Sequence, residues 1–126
     1  MLKYAQYTTL FEGWGIGAEG FGGGSINHAW SGGPLTLLSQ KVCGVEPTSP
    51  GFRTFRVRPQ MGNLTEAEAS FESVNGEIKV FVTRSGKRYS IRLTVPENSS
   101  AEVVFPNGKR VNAPAGNHIL HSYTIN

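Results

Sequence analysis

Aspartate is absent from this sequence of 126 residues, and all nine acidic residues are glutamates. Calcium-binding loops and many catalytic metal sites depend on aspartate, so their usual ligand sets are excluded. Cys43 is the only cysteine, which excludes an internal disulfide, and the sequence has three histidines. So few Cys and His residues do not supply the three or four convergent ligands of a zinc site. We therefore expect no metal and no cofactor.

Long apolar runs and long basic runs are also missing. No apolar run reaches the ~20 residues of a membrane span, and no basic run reaches the roughly five to eight residues of a nucleic-acid patch. The net charge is +3, but the basic residues are scattered. Arg56 and Arg58 alternate with Phe55 and Val57, as on the solvent face of a strand. We expect no nucleic-acid partner and no membrane partner, and the compartment is left open.

Glycine, in contrast, is abundant and unevenly placed, with nine of its sixteen residues among the first 33. Glycine interrupts helices and strands, so no regular element is expected there. The same segment carries Glu12, Glu19, His28 and the two tryptophans, Trp14 and Trp30. Rigid aromatic and titratable side chains on irregular backbone predict a binding or catalytic loop. A flexible linker is the alternative, although linkers seldom carry such aromatic residues.

A short helix is predicted after this loop. Pro34 suits the first helical position, and Leu35, Leu38 and Val42 share one face before Gly44 ends the helix. A helix of two to three turns with so narrow an apolar stripe is not stable alone. It must pack against the following domain or against a body outside this chain.

Seven short runs with alternating apolar and polar residues follow, at a spacing of about ten residues. Asn75-Gly76 and Asn107-Gly108 are strong hairpin signals between them. The chain is thus predicted to be mainly β, an antiparallel β-sandwich preceded by a Gly-rich loop and one short helix. The expected core includes Phe55, Val57, Phe71, Ile78, Val80, Ile91, Leu93, Phe105 and Tyr123.

Glu12 is the leading candidate for chemistry, since partial burial among aromatic rings would raise its pKa toward that of a useful base. It is otherwise a loop glutamate that caps an amide or faces water, and Glu19 is a weaker candidate. His28 either donates to a polar ligand or packs under the loop. Trp14 and Trp30 either stack on a sugar ring or are simply buried.

Several motifs together resemble the C-terminal end of bacterial α-L-rhamnosidases. In chain order they are Thr8-Thr9-Leu10-Phe11-Glu12-Gly13-Trp14, Ser25-Ile26-Asn27-His28-Ala29-Trp30-Ser31-Gly32, Cys43-Gly44-Val45-Glu46-Pro47, Pro50-Gly51-Phe52 and a strand that ends in Arg58-Pro59. Each motif alone is weak, but their order is specific. The resemblance extends into the strands that follow and covers nearly the whole chain.

The resemblance implies an (α/α)₆ catalytic barrel followed by a C-terminal β-sandwich. Residues 1–46 would be the last part of the barrel and residues 47–126 the sandwich. Glu12 would be the general base of an inverting glycoside hydrolase, and His28, with Trp14 and Trp30, would contact the sugar. An inverting mechanism needs two carboxyl groups, and the resemblance places the acid in the barrel upstream.

The sequence therefore predicts a C-terminal piece of a glycoside hydrolase that acts on α-L-rhamnosides or related glycosides and is inactive alone. Its partners would be a carbohydrate substrate and the barrel upstream. Two alternatives remain open at this point. One is a self-standing carbohydrate-binding β-sandwich module with the Gly-rich segment as its ligand loop. The other is a structural interaction domain that binds no sugar.

Overall fold

The structure is a computed structural model that describes residues 29–123, apart from the side chains of Trp30 and Ser31. The chain divides into two units between Thr36 and Leu37. The β-sandwich described below lies entirely in the second unit.

The described part begins with a helical segment of three short pieces. A 3-10 turn covers Ala29–Gly32, helix α1 covers Gly33–Leu37, and a π turn covers Leu38–Val42. The π turn is closed by a hydrogen bond of 3.2 Å from the Cys43 amide to the Leu38 carbonyl oxygen. The predicted short helix is therefore present.

Eight strands follow the helical segment. They are β1 (Val45–Pro47), β2 (Thr54–Val57), β3 (Glu66–Ser73), β4 (Gly76–Ser85), β5 (Arg88–Val95), β6 (Ser100–Val104), β7 (Arg110–Ala113) and β8 (Gly116–Tyr123). A 3-10 turn at Pro50–Phe52 separates β1 from β2. Sheet I has the strand order β1-β2-β6-β7, and sheet II has the order β3-β4-β5-β8.

The strand pairs are antiparallel except for one. In sheet II, β3, β4 and β5 form consecutive hairpins, and β8 pairs with β5 along its full length. In sheet I, β2 and β6 run parallel, with Val57 opposite Val103. A parallel pair needs a long connection, and here the whole of β3–β5 lies between the two strands. The predicted mainly β sandwich is confirmed, with this one parallel pair.

The core lies between the two sheets and consists of the strand residues whose side chains point inward. Fully buried side chains of both sheets join one cluster, including Phe55, Val57 and Val103 from sheet I and Val80, Val82 and Ile91 from sheet II. Strand β5 shows the pattern most clearly, with Tyr89, Ile91, Leu93 and Val95 all buried. The apolar residues at every second position of a strand are therefore the ones buried between the sheets, as expected for strands.

Most of the expected core residues are buried, but Tyr123 is not. Phe71 is partly buried against the core, whereas Tyr123 is 63% exposed. Its neighbour Ser122 points inward and is buried, because its hydroxyl accepts a hydrogen bond of 2.9 Å from the Asn107 side chain. Successive strand residues face opposite sides, so Tyr123 faces outward. The prediction that Tyr123 belongs to the core is wrong.

The hairpin between β3 and β4 forms, but its two loop residues lie one position earlier than Asn75-Gly76. Ser73 pairs with Gly76, so the loop is Val74-Asn75. The Asn75 side chain donates hydrogen bonds to the Gly51 carbonyl oxygen at 3.1 Å and to the Ser99 hydroxyl at 3.2 Å. These contacts with distant segments accompany a register that Asn-Gly turn chemistry alone does not predict.

The Pro50–Phe52 turn packs beside this hairpin. Phe52 has a positive φ of 57°, which is rare for a bulky residue. Its ring contacts those of Phe55 and Phe71 edge-on, with centroid distances of 6.1 and 5.2 Å. The Pro-Gly-Phe motif is thus part of the packing of the sandwich, because its turn places an aromatic ring between strands of the two sheets.

Candidate functional site

Three of the four predicted site residues, Glu12, Trp14 and His28, lie outside the described residues. Trp30 belongs to the turn Ala29–Gly32, but its side chain also lies outside what the structure describes. Their predicted roles remain predictions. The described residues show how the chain enters the sandwich and which surfaces the sandwich carries.

The chain enters the sandwich through a close contact at Gly44. Its backbone has a φ of +75°, and a Cβ atom there would lie 2.0 Å from the Arg58 carbonyl oxygen. The Gly44 carbonyl oxygen accepts a hydrogen bond of 2.9 Å from the Arg58 amide, and Val42 accepts one of 3.0 Å from Gln60. Only glycine fits this position. These bonds fix the segment between the π turn and β1 against the end of β2.

Cys43 is 3% exposed and joins the core cluster. Burial raises the pKa of its thiol, and the negative charge of Glu68 raises it further. A thiol that stays protonated is a poor nucleophile. This cysteine therefore packs as a small apolar residue.

His118 and His121 lie on opposite faces of β8, in agreement with the alternation expected of a strand. His118 pairs with Leu93 and is partly buried, whereas His121 is exposed. The Nε2 atom of His118 lies 2.7 Å from the Pro114 carbonyl oxygen. Between residues 29 and 123 no three His, Cys, Asp or Glu side chains gather as a metal site would require. Within the same range, no helix is long and apolar enough to cross a membrane.

A row of charged side chains crosses the outer face of sheet I. Lys41 forms an ion pair with Glu46 on β1, and Glu46 lies opposite Arg56 on β2. The Glu102 carboxylate on β6 accepts hydrogen bonds from Arg56 at 3.2 Å and from Arg110 at 2.8 Å. The row thus alternates in sign from the π turn to β7, and the bonds of Glu102 connect β2, β6 and β7 on their solvent side.

The row also sets the protonation of its glutamates. Hydrogen bonds from Arg110 and Arg56 hold the pKa of the Glu102 carboxyl below its ordinary value. Lys41 lowers the pKa of Glu46 in the same way, with smaller contributions from Arg56 and Arg58. A carboxyl group with a lowered pKa is a weak proton donor. These two glutamates therefore hold arginines in place and are unsuited to the role of a general acid.

Two surface hollows flank this row. The larger is a groove of about 540 Å³ at the end of the sandwich where β2 and β6 finish. We call it the arginine groove. Its lining comprises Arg56, Arg58, Pro59, Gln60, Met61, Gly62, Tyr89, Val104, Phe105, Pro106, Gly108 and Arg110. The smaller hollow, of about 480 Å³, lies between the Thr48–Thr54 region and β6–β7, and Arg56 and Glu102 are its charged residues.

The arginine groove is not predicted by the sequence. Arg56 lies on the outer side of β2 as predicted, and Arg58 is exposed one residue beyond the end of that strand, but nothing in the sequence joined them to Arg110. The alternation within β7 could have put Arg110 on an outer face. The parallel pairing of β2 with β6, and the antiparallel pairing of β6 with β7, bring the three arginines together.

Residues 44–119 match the family described as "Bacterial alpha-L-rhamnosidase C-terminal domain". This match covers more than half of the chain. The chain belongs to that family. The predicted resemblance is confirmed, together with its location at the C-terminal end of such proteins.

Curated relatives agree with this membership. An "Alpha-L-rhamnosidase" of Alteromonas sp. (strain LOR) is 35% identical over 105 residues, covering 79% of this chain and 11% of its own length. A protein of the same name from Streptomyces avermitilis is 29% identical over 83 residues, covering 65% of this chain and 8% of its own. This chain thus spans about a tenth of the length of the curated relatives it matches.

Solved structures show the same fold. An α-L-rhamnosidase from Dictyoglumus thermophilum superposes with a TM-score of 0.75 at 22% identity, over 92% of this chain and 16% of that one. An α-L-rhamnosidase from Aspergillus terreus superposes with a TM-score of 0.70 at 27% identity, over 78% and 12% of the two chains. In both, the likeness covers a small part of a much larger protein.

Proposed function

We propose that this chain is the C-terminal part of an inverting glycoside hydrolase that acts on α-L-rhamnosides or related glycosides. The observation that carries the proposal is the combination of family membership with short coverage of long relatives. The chain matches proteins named α-L-rhamnosidases but spans about a tenth of their length. A carbohydrate substrate and a catalytic barrel upstream are therefore its proposed partners.

Residues 1–46 are proposed to end the barrel, and residues 47–126 to form the accessory sandwich. The family match covers residues 44–119, which is 76 of 126 residues or about 60%. The Alteromonas relative aligns with 79% of the chain, so the likeness extends beyond the sandwich domain. The assignment of Glu12 as general base and of His28, Trp14 and Trp30 as sugar contacts rests on the ordered motifs that contain these residues.

Three glutamates in the described part of the chain are poorly suited to the role of a general acid. Besides Glu46 and Glu102, Glu77 also has a lowered pKa, because Ser70 and Lys79 donate hydrogen bonds to its carboxylate. A general acid of a glycosidase needs a raised pKa. A general acid supplied by the barrel would complete the pair of catalytic carboxyl groups, and the chain alone would then be inactive.

Comparing the 126-residue chain with the full-length parent tests this proposal. On an aryl α-L-rhamnoside, we expect the parent to hydrolyse the substrate and the isolated chain to release no detectable product. Proton NMR of the first turnovers should show the β-anomer of the released sugar, because inversion changes the configuration at the anomeric carbon. Initial release of the α-anomer would contradict inversion, and turnover by the purified chain would contradict the division of the site.

The same experiment separates the alternative of a self-standing carbohydrate-binding module. Such a module would bind an oligosaccharide without any parent enzyme and would have no hydrolase activity in any longer form. A parent that turns over the aryl glycoside and loses this activity when residues 1–126 are removed supports the enzyme. A parent that keeps full activity after their removal contradicts it.

A further inference from the structure

The arginine groove lies at the ends of the parallel strands β2 and β6, where the chain segments that follow them diverge. Val57 at the end of β2 lies beside Val103 on β6. After β2 the chain passes through residues 58–62 toward sheet II, whereas β6 turns back at residues 105–109 into β7. Because β2 and β6 are parallel, their carboxyl ends lie side by side, and the diverging segments after them leave a crevice. Its volume of about 540 Å³ falls within the range of small-ligand sites, about 300–1,000 Å³.

The charge of this crevice is one-sided. Arg56, Arg58 and Arg110 line it, and no carboxylate does so among the described residues. Beside the groove, Glu102 pairs with both Arg56 and Arg110. Glu46 pairs with Lys41 and is close enough to Arg56 and Arg58 for their charges to lower its pKa. The three arginines and Lys41 against these two glutamates leave a net charge of 4 − 2 = +2. Within residues 29–123, the Arg58 side chain forms no hydrogen bond or ion pair, and its charge acts on Glu46 only at longer range.

The remaining surface of the groove suits a ligand with both apolar and hydroxyl groups. Phe105, Met61 and Val104 are buried and provide apolar floor. Tyr89 is 6% exposed, and its hydroxyl has no hydrogen-bond partner in the described part of the chain. Tyr89 also lines the groove. Guanidinium groups beside aromatic rings and a tyrosine hydroxyl match the chemistry of an acidic sugar unit.

We propose that the arginine groove is a binding site for an anionic saccharide, in which Arg58 and Arg110 hold a carboxylate or sulfate group of the sugar chain. The preference for a saccharide rests on the proposed function, whereas anion binding rests on the groove itself. The site lies on the accessory sandwich and contains no residue proposed for catalysis. It would hold a charged part of a polymeric substrate without taking part in the cleavage of a bond.

An NMR titration of the ¹⁵N-labelled chain tests the proposal. The probes are a trimer of galacturonate and the same trimer with its carboxyl groups methyl-esterified. We expect shift changes at residues 58–62 and 104–110, and an affinity for the acid form at least about tenfold higher, since charge-assisted hydrogen bonds are lost on esterification. Added salt should weaken binding of the acid form. Equal affinity for the two trimers would overturn the proposal.

Matched variants separate this site from general charge attraction. Arg58→Gln should lower the affinity for the acid trimer by about tenfold, and Arg58→Lys should lower it less because the charge remains. Arg88→Gln removes the same charge from sheet II, outside the groove, and should leave the affinity unchanged. An equal loss in Arg58→Gln and Arg88→Gln would show non-specific attraction and overturn the site. Unchanged spectra elsewhere confirm that the variants fold.

Two further experiments test whether something other than a saccharide occupies the arginine groove. A tri-glutamate peptide that binds as tightly as the acid trimer, with the same dependence on Arg58, would make the groove a contact for an acidic protein segment and overturn the saccharide. The titration is then repeated with the full-length parent. Retention of Arg58-dependent binding supports the proposal, and its loss would show that the rest of the enzyme covers the groove. Hydrolysis of a neutral aryl rhamnoside does not depend on this site, so the two proposals fail separately.

Discussion

The segment of residues 1–33 and the β-sandwich differ first in glycine, with nine residues in 33 against seven in the remaining 93. The sandwich is instead ordered by alternating apolar side chains that are buried between two sheets. The first segment carries the proposed catalytic and sugar-binding residues, and the second carries the buried core. Under the proposed function, chemistry and stability would thus depend on different parts of one chain. Substitutions in the first should change turnover, and substitutions in the second should change the free energy of unfolding.

The largest expected effect comes from Glu12→Gln in the full-length parent. The amide keeps the shape of the side chain but cannot take a proton from water, so kcat should fall by about 10²–10⁴-fold. Substrate binding should change far less, because the base acts in the transition state. Steady-state kinetics give kcat and KM, and thermal unfolding should be unchanged.

Glu19→Gln is the control for this prediction. It makes the same chemical change seven residues away in the same glycine-rich segment. We expect near-normal kcat. A collapse of kcat in Glu19→Gln with normal turnover in Glu12→Gln would move the base to the other glutamate.

The second-largest expected effect is on the free energy of unfolding, and it comes from a substitution in the sandwich rather than in the glycine-rich segment. Ile91 is fully buried on β5, so Ile91→Ala should lower the free energy of unfolding by about 2–5 kcal/mol. Ile119 lies on the neighbouring strand and is 66% exposed. Ile119→Ala should stay within about 0.5 kcal/mol of the parent chain. Urea denaturation of the 126-residue chain measures both, and equal losses would contradict the assignment of the two faces.

The third effect concerns the junction between the two regions. Gly44→Ala places a Cβ atom against the Arg58 carbonyl oxygen and also imposes a left-handed backbone on alanine. Gly62 has a φ of +52° with no atom near its added Cβ, so Gly62→Ala isolates the backbone cost, about 1–2 kcal/mol. The loss of unfolding free energy in Gly44→Ala should exceed that of Gly62→Ala. Equal losses in urea denaturation would show that the close contact is unimportant.

The smallest effect concerns the charged row on sheet I. The pKa of Glu102 is lowered from its ordinary value of 4.5 by its hydrogen bonds to Arg110 and Arg56. Its ionised form is therefore favoured by folding, and this contribution to stability is present above about pH 4.5 and lost as the pH falls below it. Glu102→Gln should be slightly less stable than the parent chain at neutral pH, and the difference should shrink in acid. A difference independent of pH, in thermal unfolding of both proteins, would contradict this role.

Sheet II was the more predictable of the two sheets. Its strands β3, β4 and β5 follow one another through short turns, so local alternation and turn residues were enough to place them together. In sheet I, β1 is three residues long and gave no periodic signal. The parallel pairing of β2 with β6 joins residues more than forty positions apart. Such pairing depends on packing of the whole domain, which local patterns do not contain.

The candidate functional residues were likewise predictable from the sequence only in part. The order of Glu12, Trp14, His28 and Trp30 in their motifs points to a glycoside hydrolase from the sequence alone, because these motifs are local in sequence. The arginine groove could not be predicted. Arg58 and Arg110 are separated by 52 positions, and only the placement of β6 between β2 and β7 brings their ends to one crevice.

The sequence by itself determined that the chain is mainly β, which residues alternate and which family the chain belongs to, since each depends on neighbouring residues or on ordered motifs. Tertiary structure decided the rest. It turned Tyr123 outward because Ser122 found a hydrogen-bond partner inside, and it shifted the Asn75 hairpin while Asn75 bonds Gly51 and Ser99. It also gathered the arginines on one surface. Those outcomes depend on which distant segments meet, and only the packing of the two sheets settles that.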